Sequence, residues 1–197
     1  MKKLFLLASA LLLAACAPSR VQPSVTTNSV TAFGFTKVLS RTLNVPTQPP
    51  HSFKFDGSWE IGTTYFSLEK NLAFFTCVKD EERVQFRTMK KIDLFRDSTF
   101  KAEKDADEEA FILYYLKWDH DFWVAKQEAL SLGTATGPIF NSEKRYGTIK
   151  TVNGAYQRCV LAGIEGDAIY MMTGEAIGSD RDICETQAKI WNSREPY

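Results

Sequence analysis

The chain has 197 residues, with 24 Lys and Arg side chains against 24 Asp and Glu side chains. This length suits a single ordinary domain that can bury a sizeable core. The balanced charge argues against a general nucleic-acid-binding protein, since that class needs an excess of Lys and Arg to contact phosphate groups. We therefore expect no nucleic-acid partner.

The N-terminus has the zones of a secretory signal. Lys2 and Lys3 supply a short positive zone, and the run from Leu4 to Ala15 is almost wholly apolar. A membrane-spanning helix needs roughly 20 apolar residues, so this run is too short to remain as a transmembrane anchor. Residues 1–15 are therefore predicted to be a signal peptide that is removed on export.

The four residues at the predicted cleavage site, Leu13-Ala14-Ala15-Cys16, resemble the lipobox of bacterial lipoproteins. The resemblance implies cleavage before Cys16, attachment of diacylglycerol to its thiol and, usually, acylation of the new N-terminus. A stable anchor needs more than one acyl chain, because each buried methylene contributes only about 0.8 kcal/mol. Cys16 would then tie the protein to a membrane. The alternative is an ordinary signal peptide with a cysteine near the cut by chance.

The same resemblance indicates a compartment. Lipoproteins with an aspartate just after the cysteine are often retained at the inner membrane, and this chain has Ala17 at that position. The resemblance therefore implies the periplasmic face of the bacterial cell envelope, with the outer membrane favoured.

Residues 16–50 are predicted to be a lipidated N-terminus followed by a flexible tether. The segment from Ala17 to about Val30 is rich in Ser, Thr and Pro and lacks the apolar periodicity of a core. The prolines between Pro46 and Pro50 interrupt any regular element. A single globular domain is therefore expected over residues 51–197.

Residues 31–45 are more apolar than the rest of the predicted tether and allow two interpretations. Phe33 and Phe35 would lie on one face of a strand. The alternative is a short helix, with one face formed by Phe35, Val38, Leu39 and Leu43. The sequence does not decide between them.

The first part of the globular domain has the patterning of antiparallel strands. Strands are predicted at Trp59 to Leu68, Leu72 to Val78 and Arg83 to Met89, with a hairpin loop at Glu69-Lys70-Asn71. The second strand is apolar throughout, so we expect it to be buried on both faces. The third alternates between apolar and polar residues and should be half exposed.

The segment from Phe111 to Trp118 is predicted to be a strand because it is rich in β-forming residues. A helix is then expected from Asp121 to Leu132, capped by Asp119 or Asp121 and ended by Gly133. The aromatic residues of this region also recur at intervals of three and four. That spacing is helical and leaves a helix as the alternative.

The C-terminal third has the clearest pattern. Strands are predicted at Gly147 to Val152, Ala155 to Ala162 and Ala168 to Ile177, and Asn153-Gly154 is a strong hairpin signal between the first two. An amphipathic helix ending near Asn192 follows. We therefore predict an α+β fold, a mainly antiparallel sheet with a C-terminal helix packed on it.

Three cysteines remain once Cys16 is lipidated, and exported proteins can form disulfides. We expect a bridge between Cys159 and Cys184, which would pin the final helix to the middle strand of the C-terminal three. A loop of that length stabilises a protein by roughly 3 kcal/mol in the chain-entropy model. Cys77 lies in an apolar run and is expected to be a buried free thiol. Three free cysteines, or a bridge that involves Cys77, are the alternatives.

Few residues suggest chemistry. Asp119-His120-Asp121 combines two carboxylates with an imidazole, but adjacent side chains point in different directions, so we expect a polar turn or helix cap and no metal site. A pair of Cys77 with His120 would suit thiol catalysis but has no supporting context. Because no nucleophile motif or phosphate-binding glycine loop is present, we expect no catalytic residue and no cofactor.

Two segments are candidate surfaces. Arg83, Arg87, Lys90 and Lys91 alternate with apolar residues, and we expect them to form a solvated strand face. That face could contact anionic head groups or the acidic run from Glu103 to Glu109. The aromatic residues between Phe111 and Trp123 are expected mainly in the core. Any of them on the surface would mark a partner or ligand site.

The predicted function is that of a lipid-anchored, non-enzymatic binding or accessory module, with another envelope protein as its partner. The predicted anchor and tether support it, together with the lack of a catalytic motif. The alternatives are an envelope hydrolase acting on cell-wall material and a small-ligand carrier. Two facing carboxylates in a cleft would favour the hydrolase, and an internal cavity lined by aromatic side chains would favour the carrier.

Overall fold

The computed structural model of the protein describes residues 22–47, 49–126, 133–178 and 182–196. The predicted signal peptide and Cys16 lie outside these ranges. Within them the chain forms eleven strands and three helices. In chain order these are β1 (Ser24–Ala32), β2 (Phe35–Val45), β3 (His51–Asp56), β4 (Glu60–Ser67), β5 (Leu72–Lys79), β6 (Glu82–Lys90), α1 (Lys91–Leu94), α2 (Glu108–Lys126), β7 (Thr134–Asn141), β8 (Tyr146–Asn153), β9 (Tyr156–Glu165), β10 (Ala168–Ile177), α3 (Ile183–Asn192) and β11 (Glu195–Pro196).

The strands form two antiparallel sheets. The small sheet has the order β1-β2-β3-β11, and the large sheet has the order β4-β5-β6-β10-β9-β8-β7. α3 packs on β9 and β10, whereas α2 packs on β7, β8 and β9. The predicted fold, a mainly antiparallel sheet with a C-terminal helix packed on it, is confirmed.

The large sheet is covered on both faces because its central strands carry apolar side chains on both faces. On β9, Cys159 and Leu161 face a core that they share with α3 and the small sheet. Val160 and Ala162 alternate with them and face a second core under α2. The large sheet therefore lies between α2 on one side and α3 with the small sheet on the other.

Aromatic side chains fill the core between the two sheets. The ring centroids of Phe53 and Phe86 are 4.7 Å apart, and those of Tyr170 and Trp191 are 6.2 Å apart. Both pairs adopt the edge-to-face arrangement that aromatic quadrupoles favour. Contacts of this kind join β3, β6, β10 and α3 in one cluster.

The attachment of α3 to the large sheet begins at its first turn. The side chain of the N-cap residue Asp182 accepts a hydrogen bond from the Cys184 amide at 2.8 Å. Cys184 forms a disulfide with Cys159 on β9, and their Cα atoms are 5.4 Å apart. One turn further, Gln187 donates a hydrogen bond to the Cys159 carbonyl at 3.2 Å. The helix is thus pinned to the middle strand of the C-terminal three, as expected from the sequence.

The ordered fold begins before residue 51, so the prediction that residues 16–50 form a flexible tether is wrong for β1 and β2. β1 pairs with β2, and β2 pairs in turn with β3. Leu43 and Val45 of β2 are buried in the core. The Ser- and Thr-rich β1 lacks apolar alternation because it is an exposed edge strand, stabilised by its backbone hydrogen bonds to β2.

The segment from Phe111 to Trp118, predicted to be a strand, is instead the middle of α2, which begins at Glu108. Its β-forming residues were misleading because burial on one helical face outweighs intrinsic propensity. That buried face is formed by Phe111, Ile112, Tyr115 and Leu116. The predicted end of the helix at Leu132 lies outside the described residues.

β5 was predicted to be buried on both faces, and this is also wrong. Its residues alternate between buried and partly exposed, with Phe75 and Cys77 facing the core between the two sheets. The opposite face of β5 is more open because the helix on that side, α2, packs on β7, β8 and β9.

Removing the disulfide should lower the free energy of unfolding by roughly 3 kcal/mol, the chain-entropy value for a loop of this length. The variant is Cys159→Ala/Cys184→Ala, and urea unfolding followed by tryptophan fluorescence measures the change. A reducing agent should destabilise the wild-type protein to a similar degree and leave the double variant unchanged. A loss of less than about 1 kcal/mol would show that packing and hydrogen bonds alone hold α3 in place.

Candidate functional site: an arginine-lined cleft beside α2

The strongest candidate site is a cleft on the α2 side of the large sheet. α2 covers β7, β8 and β9, and the same face of β5, β6 and β10 is open beside the C-terminal half of the helix. The opening has a volume of about 200 Å³. We call it the arginine cleft, and its charged and aromatic lining residues include Arg83, Arg87, Asp119, Trp123, Arg158 and Glu175.

Strand alternation places the three arginines on one face of the large sheet. Arg83 and Arg87 on β6 alternate with Val84 and Phe86, which point into the opposite core. Arg158 on β9 points to the α2 side by the same rule, since the next residue on β9 faces α3. The sheet therefore gathers positive side chains from two strands that are far apart in the sequence.

Asp119 and Arg158 form an ion pair in the cleft. Arg158 Nη2 lies 3.5 Å from Asp119 Oδ2, and the two side chains are only 7% and 9% exposed. Burial raises the pKa of Asp119 above its ordinary value of 3.8, although the Arg158 and Arg87 guanidinium groups lower it. Removing two charges from water is costly, so such a pair adds little to stability. Buried charges with shifted pKa values in a cleft are more typical of functional sites.

Trp123 adds an aromatic face beside this pair. It follows Asp119 by one helical turn and so lies on the same side of α2. Its ring centroid is 5.7 Å from the guanidinium carbon of Arg158, within range of a cation–π contact. Because the indole is 38% exposed, its accessible part can contact a planar or sugar-like group.

Arg87 and Arg83 supply further positive charge. Arg87 Nη2 donates hydrogen bonds to the Tyr115 hydroxyl at 3.0 Å and to Met171 Sδ at 3.3 Å. Burial raises the pKa of Tyr115, so its phenol stays neutral and does not balance the guanidinium charge. In the described parts of the chain, no carboxylate lies within ion-pair distance of either arginine.

The arginine cleft therefore has a positive balance, with three guanidinium groups against the carboxylates of Asp119 and Glu175. Glu175 accepts a hydrogen bond from the Tyr156 hydroxyl at 3.2 Å. Burial and the nearby Glu175 raise the pKa of Tyr156 to about 12, so this phenol keeps its proton at neutral pH. Since both carboxylates have partners, the remaining guanidinium groups can bind an anionic group from outside.

The predicted polar turn at Asp119-His120-Asp121 is wrong, because the three residues lie inside α2. Successive helix positions point about 100° apart. Asp119 accordingly faces Arg158, whereas Asp121 is exposed and pairs with Lys117 at 2.5 Å. Burial lowers the pKa of His120, which is half-buried. Among the residues that the structure describes, no group of three or more His, Cys, Asp and Glu side chains could hold a metal ion.

Cys77 lies outside the cleft. It is fully buried in the core between the two sheets, and burial raises its pKa to about 12. A thiol that stays protonated at neutral pH is a poor nucleophile. The large sheet also separates Cys77 from α2 and therefore from His120. Cys77 is a packing residue, as the apolar run around it predicted.

The basic cluster predicted from the sequence is divided by the fold. Arg83 is exposed, which agrees with a solvated strand face, but Arg87 is half-buried in the cleft, so that prediction is wrong for Arg87. Lys91 lies elsewhere, with its Nζ 4.2 Å from the centre of the Phe111 ring. The cluster therefore contributes two of its four members to the candidate site.

Sequence patterns did not single out Arg158, and they included Trp123 only in a group of aromatic residues expected mainly in the core. Arg158 directly precedes the apolar run from Cys159 to Ile164, and a charge next to such a run is a sequence signal that could have found it. Trp123 and Asp119 share a helical face, but the sequence reveals this only if the segment is already known to be a helix. Both residues depend on tertiary packing for their role.

The sequence matches no model of a known protein family, and no curated protein is found to be similar to it. Of the helices in the described ranges, none combines the length and the apolar composition that crossing a bilayer requires.

The raised pKa of Asp119 should make the stability difference between the wild-type protein and Asp119→Asn depend on pH. A folded-state pKa above 3.8 means that the native protein binds this proton more tightly than the unfolded chain does. The wild-type protein should gain stability relative to the variant as pH falls through the folded-state pKa towards 3.8, and should lose it as pH rises. Urea unfolding from about pH 3.5 to about pH 7 measures the difference.

The matched control for this experiment is Asp121→Asn, which removes the exposed carboxylate two residues further along α2. A slope of the opposite sign for Asp119→Asn would mean that attraction to Arg158 and Arg87 outweighs the burial of Asp119.

Proposed function

We propose that the chain is a lipid-anchored protein of the bacterial cell envelope that binds an anionic group in the arginine cleft. Its role is that of a non-enzymatic binding or accessory module. Leu13-Ala14-Ala15-Cys16 supports the anchor, and Ala17 favours the outer membrane. Lipid on Cys16 would hold the domain at the periplasmic face, where the cleft can reach other envelope components.

One observation supports binding above the others, namely that guanidinium groups line a cleft next to a buried charge pair. Asp119 neutralises Arg158 and leaves Arg83 and Arg87 available for a ligand. A guanidinium group binds a carboxylate or a phosphate through two parallel hydrogen bonds. The partly dry surroundings of Arg87 strengthen such a contact relative to one in open water.

The size of the cleft indicates what kind of group it accepts. A volume of about 200 Å³ is below the range of roughly 300–1,000 Å³ typical of pockets that enclose a drug-sized ligand. The arginine cleft therefore suits the acidic end group of a larger molecule. Trp123 would stack on the ring that carries the acidic group, so a carboxylated sugar unit is the ligand chemistry that fits best.

An envelope hydrolase is the second candidate, because Asp119 with its raised pKa and Glu175 line the same cleft. It is less well supported, since Asp119 is paired with Arg158 and Glu175 with Tyr156. A small-ligand carrier has less support still, because the aromatic residues at the start of α2 are packed into the core.

The proposed anchor is tested by growing cells that express the full-length chain in radiolabelled palmitate. The wild-type protein should be labelled and should sediment with membranes, whereas Cys16→Ser should carry no label. Cys77→Ala removes a different thiol and should keep the label. An unlabelled wild-type protein would refute the anchor. By the lipoprotein sorting rule, Ala17→Asp should keep the label and move the protein to the inner membrane.

The proposed binding is tested with glucuronate as the probe and uncharged glucose as its matched partner, using tryptophan fluorescence as the readout. Glucuronate should bind and glucose should not. Arg87→Gln should weaken glucuronate binding about tenfold, since a charge-assisted contact contributes at least about 1.4 kcal/mol. Arg96→Gln, which alters an exposed arginine outside the cleft, is the control. Equal affinity for both sugars, or no effect of Arg87→Gln, would contradict the proposal.

A further inference from the structure

The hairpin of β1 and β2 extends beyond the rest of the small sheet. β3 pairs with β2 only from Ser40 to Val45. The remaining part of the hairpin, residues 29–39, is here called the arm. At about 3.3 Å per residue it reaches roughly 15 Å past the end of β3. Its outer strand β1 has no further partner strand among the described residues.

The end of the arm displays apolar side chains to solvent. Phe33 in the turn is 99% exposed, and Phe35 is 81% exposed. Strand pairing sets Ala32 opposite Phe35 and Val30 opposite Lys37, so these four side chains share one face of the arm. The arm therefore combines an apolar tip and an apolar face with one cation on that face.

Phe33 is an unusual residue for its position. It has φ +52°, a left-handed conformation that favours Gly or Asn, and Gly34 follows at φ +79°. An Asn-Gly pair would suit this turn with less backbone strain. Neither the turn nor the core gains from a phenylalanine here, so its presence indicates a contact outside the fold.

The charge and the reach of this part of the chain indicate what the arm contacts. Residues 24–45 contain Lys37 and Arg41 and no Asp or Glu. The seven residues 17–23 separate Cys16 from β1 and can span at most about 25 Å. A lipidated Cys16 would therefore keep the start of the hairpin close to a bilayer. The arm could then lie along the surface with its apolar face towards the lipid.

We infer that the arm is a second membrane contact, in which Phe33 and Phe35 insert into the interfacial zone of a bilayer and Lys37 binds anionic head groups. Aromatic side chains are favoured at this depth, and each cation near an anionic surface adds attraction. A second copy of the chain fits less well as the occupant, because two arms would bring together like charges without an acidic partner. The inference rests on the proposed anchor only for bringing the arm to the membrane.

The test is flotation of the unlipidated protein with phosphatidylcholine vesicles, prepared with and without phosphatidylglycerol. Both hydrophobic cores lie within residues 22–196, so a chain that begins at residue 17 retains the whole described fold. The wild-type protein should float with the vesicles that contain phosphatidylglycerol. Its binding should weaken as salt is added, because the attraction of Lys37 is screened.

Phe33→Asn is the decisive variant, since asparagine suits the positive φ and should preserve or improve the turn. It should lower vesicle partitioning about tenfold, the expected effect of losing one buried phenylalanine. Lys37→Gln should weaken binding only where phosphatidylglycerol is present. Ile139→Thr removes an exposed apolar side chain from β7 and should leave partitioning unchanged. Thermal unfolding of each variant confirms that the fold is intact.

Several results would overturn the inference. The first is that the wild-type protein floats with neither vesicle type. The second is that the Phe33→Asn variant floats like the wild type. The third is that Phe33 is needed for a protein dimer or a crosslinked protein partner, while no vesicle binding is seen. These outcomes are separate from the palmitate experiment. Labelled protein without vesicle binding supports the anchor and refutes the arm, whereas vesicle binding without label supports the arm and refutes the anchor.

Discussion

Strands β9 and β10 carry apolar side chains on both faces, and the rest of the architecture follows from the need to cover them. Every residue from Arg158 to Ile164 is buried, although antiparallel strands commonly leave one face to solvent. Covering the first face requires α3 and the small sheet, and covering the second requires α2. The disulfide and the hydrogen bonds of Gln187 hold α3 over the first face.

The arginine cleft arises where this cover is incomplete. α2 extends over one half of the large sheet, so the side chains of β5, β6 and β10 on that face meet solvent at its flank. Arginine suits such a boundary, because its alkyl stem packs on apolar surface while its guanidinium group remains available for polar contacts. The pair of Asp119 and Arg158 is buried in the cleft, and there burial competes with charge attraction to set the pKa of Asp119.

The two proposed contacts of the protein differ in the physics that would drive them. The arginine cleft is small, polar and partly buried, and it selects for a charged group of defined geometry. The arm is exposed and mainly apolar at its tip, and it requires only a soft apolar environment with negative charge nearby. A lipid-tethered domain with both could bind an envelope component while the arm limits its orientation at the membrane. The two sites lie on different sheets, so each can be altered without disturbing the other.

The sequence by itself predicted the α+β class, the C-terminal strand meander, the final helix and the bridge between Cys159 and Cys184, since local periodicity, turn chemistry and the apolar context of Cys77 indicate them. The hairpin signal at Asn153-Gly154 is displaced by one residue, because Asn153 pairs with Tyr156 and the turn residues are Gly154 and Ala155. The sequence also contains Leu13-Ala14-Ala15-Cys16, the motif that resembles a lipobox. Only the tertiary structure decided that Phe111 to Trp118 is helical and that the polar β1 is a strand, because burial against distant residues overrides local propensity. The cleft likewise depends on packing, since Arg87, Asp119 and Arg158 come from three separate elements and no local pattern records that they meet.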